Sequence, residues 1–225
     1  MVRFPGSLDD CDALWAIREV MGQDACMLWH KEEDLRGADC VVLPGGFSYG
    51  DYLRCGALAR FSPIMKSVAR FAAGGGLVLG ICNGFQILCE ARLLPGVLTR
   101  NRSLSFICER VTVRVDNART PFTCAAHPGE LLRLPIKHGE GCYVAPDSEL
   151  RRMEERGQVV LRYVDERGEA TDEANPNGSM RAVAGVANER FNVFGLMPHP
   201  EHAVEAMLGG EDGLRLFRSI VQSRG

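Results

Sequence analysis

The chain has 225 residues, a formal net charge of −3, 46% hydrophobic residues and nine cysteines. That length fits one α/β domain spanning 1–225, and the near-neutral charge argues against a nucleic-acid surface. No apolar run approaches the roughly 20 residues of a membrane span, and the first residues show no signal-peptide pattern, so a cytoplasmic protein is expected.

In chain order, Val2-Arg3-Phe4 reads as the end of a first strand, stopped by Pro5-Gly6. Asp9 or Asp10 is placed to cap a helix running to Met21, with Leu14, Ile17 and Met21 on one stripe. Ala25–Leu28 and Asp39–Leu43 read as strands, the second ended by Pro44-Gly45-Gly46. A helix over 58–73, with Phe61, Met65, Val68 and Phe71 on one side, leads through three glycines to a buried strand at Leu77–Ile81. Alternation of this kind predicts a mostly parallel central sheet with helices on both faces.

The second half reads differently. Arg110–Val115 alternates polar and apolar residues, as an antiparallel strand with one wet face does, and Leu131–Ile136 is its candidate partner in a smaller antiparallel sheet. A charged helix over 147–156, a strand at 159–163, a polar loop over 165–180, a hairpin of 182–187 with 191–196, and a closing helix from Asp212 to Val221 complete the chain.

Two motifs carry chemistry. Gly80-Ile81-Cys82-Asn83-Gly84 is a G-x-C-x-G turn between a buried strand and the helix-like Phe85–Glu90. It is the thiol version of a nucleophile elbow, which sets Cys82 at a helix N-terminus where thiolate is favoured. Met197-Pro198-His199-Pro200-Glu201 holds a histidine in an extended corner after another apolar strand. Glu201 lies two residues on, on the same side of an extended chain, placed to accept the second ring N–H. Together these give a Cys82–His199–Glu201 relay. The remaining cysteines are scattered, with no C-x-x-C pair, so neither a disulfide framework nor a metal site is expected. His30, His127 and His202 have no evident partner and read as surface residues.

These motifs resemble the class I, triad-type glutamine amidotransferases. The run Pro44-Gly45-Gly46-Phe47-Ser48-Tyr49-Gly50-Asp51-Tyr52-Leu53-Arg54-Cys55-Gly56 is similar, more narrowly, to the glutaminase subunits of phosphoribosylformylglycinamidine synthases. So are Asn101–Phe106, His138-Gly139-Glu140-Gly141, Asn175–Ser179 and Met197–Glu201. The resemblance implies hydrolysis of glutamine to glutamate and ammonia. It implies delivery of that ammonia to a separate synthetase subunit, which uses ATP and magnesium to turn formylglycinamide ribonucleotide into the amidine. A small assembly subunit, and no cofactor in this chain, go with it.

The implied oxyanion donors are the N–H groups of Asn83 and of Gly46, or of Gly45 in its place. Gly45, Gln86, Asn101, Ser103 and Phe106 are implied at the substrate. His138, Glu140 and Asn177-Gly178-Ser179 are assigned to the synthetase contact or the ammonia exit. The chain departs from the family pattern in beginning almost inside its first strand, in His202 where arginine is common, and in Cys142. The competing readings are the glutaminase of another amidotransferase, a cysteine peptidase-like hydrolase of similar fold, and a non-enzymatic member with Cys82 as a redox sensor.

Overall fold

Short apolar strands separated by Gly- and Pro-rich turns set the architecture. The computed structural model describes residues 1–224. β1 (Val2–Arg3) and β2 (Leu28–Trp29) pair in parallel as a small separate sheet. Between them α1 (Asp10–Trp15) continues as wider π-type turns over Ala16–Val20. β3 (Cys40–Leu43), α2 (Pro63–Ala73), β4 (Leu77–Ile81) and α3 (Asn83–Glu90) follow. The helix expected over 58–73 is divided. Pro63 forces Ser62 into an extended conformation (φ −58°, ψ 141°), so a 3₁₀ turn at Ala59–Phe61 precedes α2 and leaves Phe61 exposed.

The rest comprises β5 (Val97–Thr99), β6 (Ile107–Val115), β7 (Leu131–His138), β8 (Cys142–Val144), α4 (Asp147–Glu155), β9 (Val159–Val164), β10 (Val183–Ala187), β11 (Val193–Leu196) and α5 (Leu214–Gln222). The main sheet has seven strands in the order β3-β4-β11-β10-β9-β6-β7. Its β3–β4–β11 part is parallel and the remainder antiparallel. The class is α/β as expected, but Arg110–Val115 and Leu131–Ile136 do not form a sheet of their own. β9 pairs with β6 on one side and β10 on the other, which joins them to the main sheet. The small antiparallel sheet is instead β5 with β8.

Val41, Leu43, Val78, Leu79, Ile81, Phe194 and Leu196 lie almost wholly inside the core. Parallel strands covered on both faces need this continuous apolar pattern. The sheet curls enough that the His199 N–H, just past β11, donates to the Pro135 carbonyl of edge strand β7 at 2.8 Å. Among the described residues no helix is long and apolar enough to cross a membrane.

Candidate active site

Ile81 on β4 pairs in parallel with Leu196 on β11. The two motifs therefore leave neighbouring strand ends in the same direction, as sites of open α/β sheets do. Cys82 passes from sheet to helix in one residue. Its N–H donates to Leu196 O at 2.8 Å, while its carbonyl already accepts from Gln86 N at 3.2 Å. Meeting both bonds puts Cys82 at φ 49°, ψ −103°, a strained backbone for a side-chain-bearing residue. Gly84 lets α3 lie on β3, since a Cβ there would overlap the Leu43 carbonyl.

His199 and Glu201 are almost fully buried. His199 Nδ1 donates to Glu201 Oε1 at 2.6 Å, which leaves Nε2 as the reactive nitrogen. Burial opposes a charged ring. The Glu201 carboxylate and the neighbouring Cys82 outweigh it and raise His199 to about 10. The Cys82 thiol is close enough to the imidazole to help raise it, without a well-aligned hydrogen bond between them. Cys82 Sγ points to the Lys137 carbonyl at 3.8 Å, and His199 Nε2 makes no protein hydrogen bond. Such bonds often tighten only with substrate.

The Asn83 N–H opens α3 and so has no intrahelical acceptor. Gly46 bridges Ser7 in antiparallel fashion, with flanking bonds from Leu8 N to Gly45 O (3.2 Å) and from Phe47 N to Gly6 O (2.8 Å). At such a non-hydrogen-bonded pair the Gly46 N–H points away from its partner strand. The Asn83 and Gln86 side chains tie three segments together. Asn83 Oδ1 accepts from Ser48 N at 3.2 Å, and Asn83 Nδ2 donates to Gln86 Oε1 at 2.8 Å. Gln86 Nε2 in turn donates to Glu140 O at 2.7 Å.

Other expected residues are placed differently. The Asn101 amide is fully buried and committed inward: Nδ2 donates to Ser105 O and His138 O, and Oδ1 accepts from Gly141 N and His138 Nδ1. Its side chain is scaffold, with no valence left for a substrate. Ser103 and Phe106 are exposed, the latter near the Phe47 ring at 6.4 Å between centroids. His138, Asn177 and Ser179 are buried too deeply to form a docking face. His30 is likewise no surface residue, being buried against Tyr49 Oη at 2.8 Å.

Three residues of the cluster escaped the sequence reading: Asp9, Lys137 and His202. Asp9 makes no helix-cap bond. It lies instead on the Lys137 ammonium and on His202 Nε2. Nothing in the sequence links positions so far apart. Asp9, His199, Glu201 and His202 place potential metal-ligating atoms within 4.8 Å of one another. The Lys137 ammonium already sits on Asp9, and the carboxylates of Asp9 and Glu201 both face the His199 ring.

Three other cysteines are held in the thiol form. Burial, then Asp51 and Glu140, raise Cys55 strongly, and burial raises Cys89 and pushes Cys40 to about 12. A groove of about 570 Å³ lined by Arg54, Arg60, Glu90, Arg92 and Arg152 contains none of the three relay residues.

Residues 1–211 match the family model of the CobB/CobQ-like glutamine amidotransferase domain. The chain is 59% identical to the phosphoribosylformylglycinamidine synthase subunit PurQ of Thermomicrobium roseum and 57% identical to that of Salinibacter ruber. In each case the match covers 98% of this chain and 94% of the relative. A chain of the Thermotoga maritima PurLQS structure superposes with a TM-score of 0.88 at 46% identity, covering 100% of this chain and 97% of that one. The chain therefore belongs to the glutamine amidotransferases and, within them, to the family of phosphoribosylformylglycinamidine synthase subunits PurQ.

Proposed function

We propose that Cys82, His199 and Glu201 hydrolyse glutamine, and that a separate ATP- and magnesium-using synthetase subunit consumes the ammonia to convert formylglycinamide ribonucleotide to the amidine. The observation that carries this reading is the convergence of the strained Cys82 turn with the buried His199–Glu201 pair at 2.6 Å, in a chain of this family.

The Cys82 thiolate attacks the side-chain amide carbon, and the oxyanion is met by the N–H groups of Asn83 and Gly46. His199 Nε2 gives its proton to the leaving nitrogen, and ammonia departs from a glutamyl thioester. The neutral ring then takes a proton from water, whose oxygen attacks the thioester and releases glutamate. Glu201 holds the tautomer and stabilises the imidazolium without taking the proton. No step needs a cofactor in this chain.

Ammonia released into water would be lost as ammonium, so the product side must be covered. Phe47, Tyr52, Leu53, Leu104 and Phe106 are exposed apolar residues on the two loops beside the site. We place the synthetase subunit there, with a small assembly subunit completing the complex. The Pro44–Arg54 loop, which carries the Gly46 donor and the exposed Tyr52 and Leu53, is the element that docking would order. The test is glutamine-dependent ammonia release with and without the synthetase subunit, with mass-spectrometric mapping of a glutamine-mimicking electrophile. The reading requires an adduct on Cys82 and a rate that rises about ten-fold or more on docking. An adduct on Cys55 or Cys89 refutes it.

A further inference from the structure

An aspartate just before a helix ordinarily caps it by accepting a backbone N–H. Asp9 holds that place before α1 and does not do so. Asp9 is 3% exposed, and its carboxylate is turned toward the His199 corner. Oδ1 accepts from the Lys137 ammonium and from His202 Nε2 at 3.2 Å, and Oδ2 lies 3.7 Å from His199 Nδ1. A carboxylate so deep is costly unless cations surround it. Burial opposes its charge, yet His202, His199 and Lys137 hold it well below the usual carboxylate range. Asp9 is thus anionic wherever the enzyme works.

The backbone enforces this approach. Gly45 O accepts the N–H groups of Leu8 and Asp9 at 3.2 and 3.4 Å. A Cβ on Gly45 would overlap Asp9 Oδ2 and stand 2.7 Å from His199 Cε1. The glycine therefore lets the carboxylate and the imidazole close on each other. Lys137 links Asp9 to the nucleophile, with its ammonium on Asp9 and its carbonyl facing the Cys82 thiol.

Resting on the relay proposed above, we infer that Asp9 is a positioning residue for His199: gripped by Lys137 and His202, it is a second anion at the imidazole, favouring the charged ring and fixing its orientation. Glu201 takes the ring proton's hydrogen bond. Asp9 acts through space on the same nitrogen from 3.7 Å, against 2.6 Å for Glu201, so its effect is the smaller of the two. The groups facing His199 are Glu201, Asp9, Cys82, His138 and His202, whose ring centroid is 5.4 Å from that of His199. Among them Asp9 and Glu201 are the carboxylates.

The experiment follows the rate of Cys82 alkylation by a glutamine-mimicking chloroketone, using the full chain, from mildly acid to about pH 11. Reaction needs thiolate and imidazolium together, so deprotonation of His199 sets the alkaline limb. Asp9→Asn keeps the shape and removes the charge. It should move that limb down by about one pH unit and slow the plateau about ten-fold. His202→Gln loosens Asp9 from the more exposed side and should move the limb the same way by less. A purely structural role would lower the rate at every pH and leave the limb in place, and that result, or a profile identical to wild type, overturns the inference. Should Asp9→Asn fail to fold, an unmoved limb in His202→Gln overturns it instead. Failure of the wild type to label at Cys82 would strike the relay itself and is separate from either outcome.

Discussion

The corner after β11 and the polar pocket at the end of β7 both bury a histidine, and they treat its proton in opposite ways. His199 meets carboxylates and is raised to about 10. His138 meets amides, carbonyls and the His199 ring, and no carboxylate. Its Nδ1 donates to Asn101 Oδ1 at 3.1 Å, and burial together with the nearby His199 charge lowers it to about 4. Burial pushes both rings toward neutrality, and the neighbouring charges decide the outcome. The charged corner suits the proton transfer proposed for it. The neutral pocket, in which Asn101 joins His138, Ser105 and Gly141, holds the surrounding loops in place.

Substitutions test whether the two regions divide chemistry from scaffolding. The largest expected effect is at Cys82. Cys82→Ser should lower glutaminase turnover by at least about 10⁴-fold, because a hydroxyl is a far weaker nucleophile at neutral pH. Synthesis from free ammonia in the assembled complex should persist. Loss of both activities would mean that the turn is structural. Glu201→Gln should cost about 10³-fold, less than His199→Ala, with the Michaelis constant for glutamine little changed. Single-turnover thioester formation measures this step, and an unchanged rate would reduce the relay to a Cys–His pair.

On the scaffold side the readout changes from rate to stability. Asn101→Ala strands two carbonyls and two N–H donors and should cost about 3 kcal/mol in urea unfolding. A large rise in the Michaelis constant with stability intact would return Asn101 to the substrate.

A last test is a difference in pH dependence between the two histidines. His138 has a folded-state value below its ordinary 6.5, so between about 4 and 6.5 the unfolded chain binds more protons. Stability from this group is complete above 6.5 and is lost as pH falls, by up to about 3 kcal/mol. His199 is raised, so its contribution is full below 6.5 and is lost as pH climbs through about 10. His138→Gln should flatten only the acid side of the stability profile, and Glu201→Gln only the alkaline side. The same change in both variants would erase the distinction.

The sequence by itself determined the local chemistry. Gly80–Gly84 after a buried run sufficed to place a thiol on a strand-to-helix turn, because glycine spacing and helix start are properties of adjacent residues. Pro198-His199-Pro200-Glu201 sufficed for an extended histidine with a carboxylate nearby, but the chain turns into a 3₁₀ helix at Pro200–His202, so Glu201 reaches the ring from that turn and not along an extended strand. The alternation of Arg110–Val115 marked an antiparallel strand, since side-chain direction has period two. What only tertiary structure decided depends on long-range pairing. The place of β9 between β6 and β10 merged the antiparallel strands into the main sheet. The curl that brings Pro135 to His199 carried Lys137 into the site. Asp9 looked like a helix cap and His202 like a surface group until the fold set them against each other, because charge pairing follows distance in space and no local pattern records it.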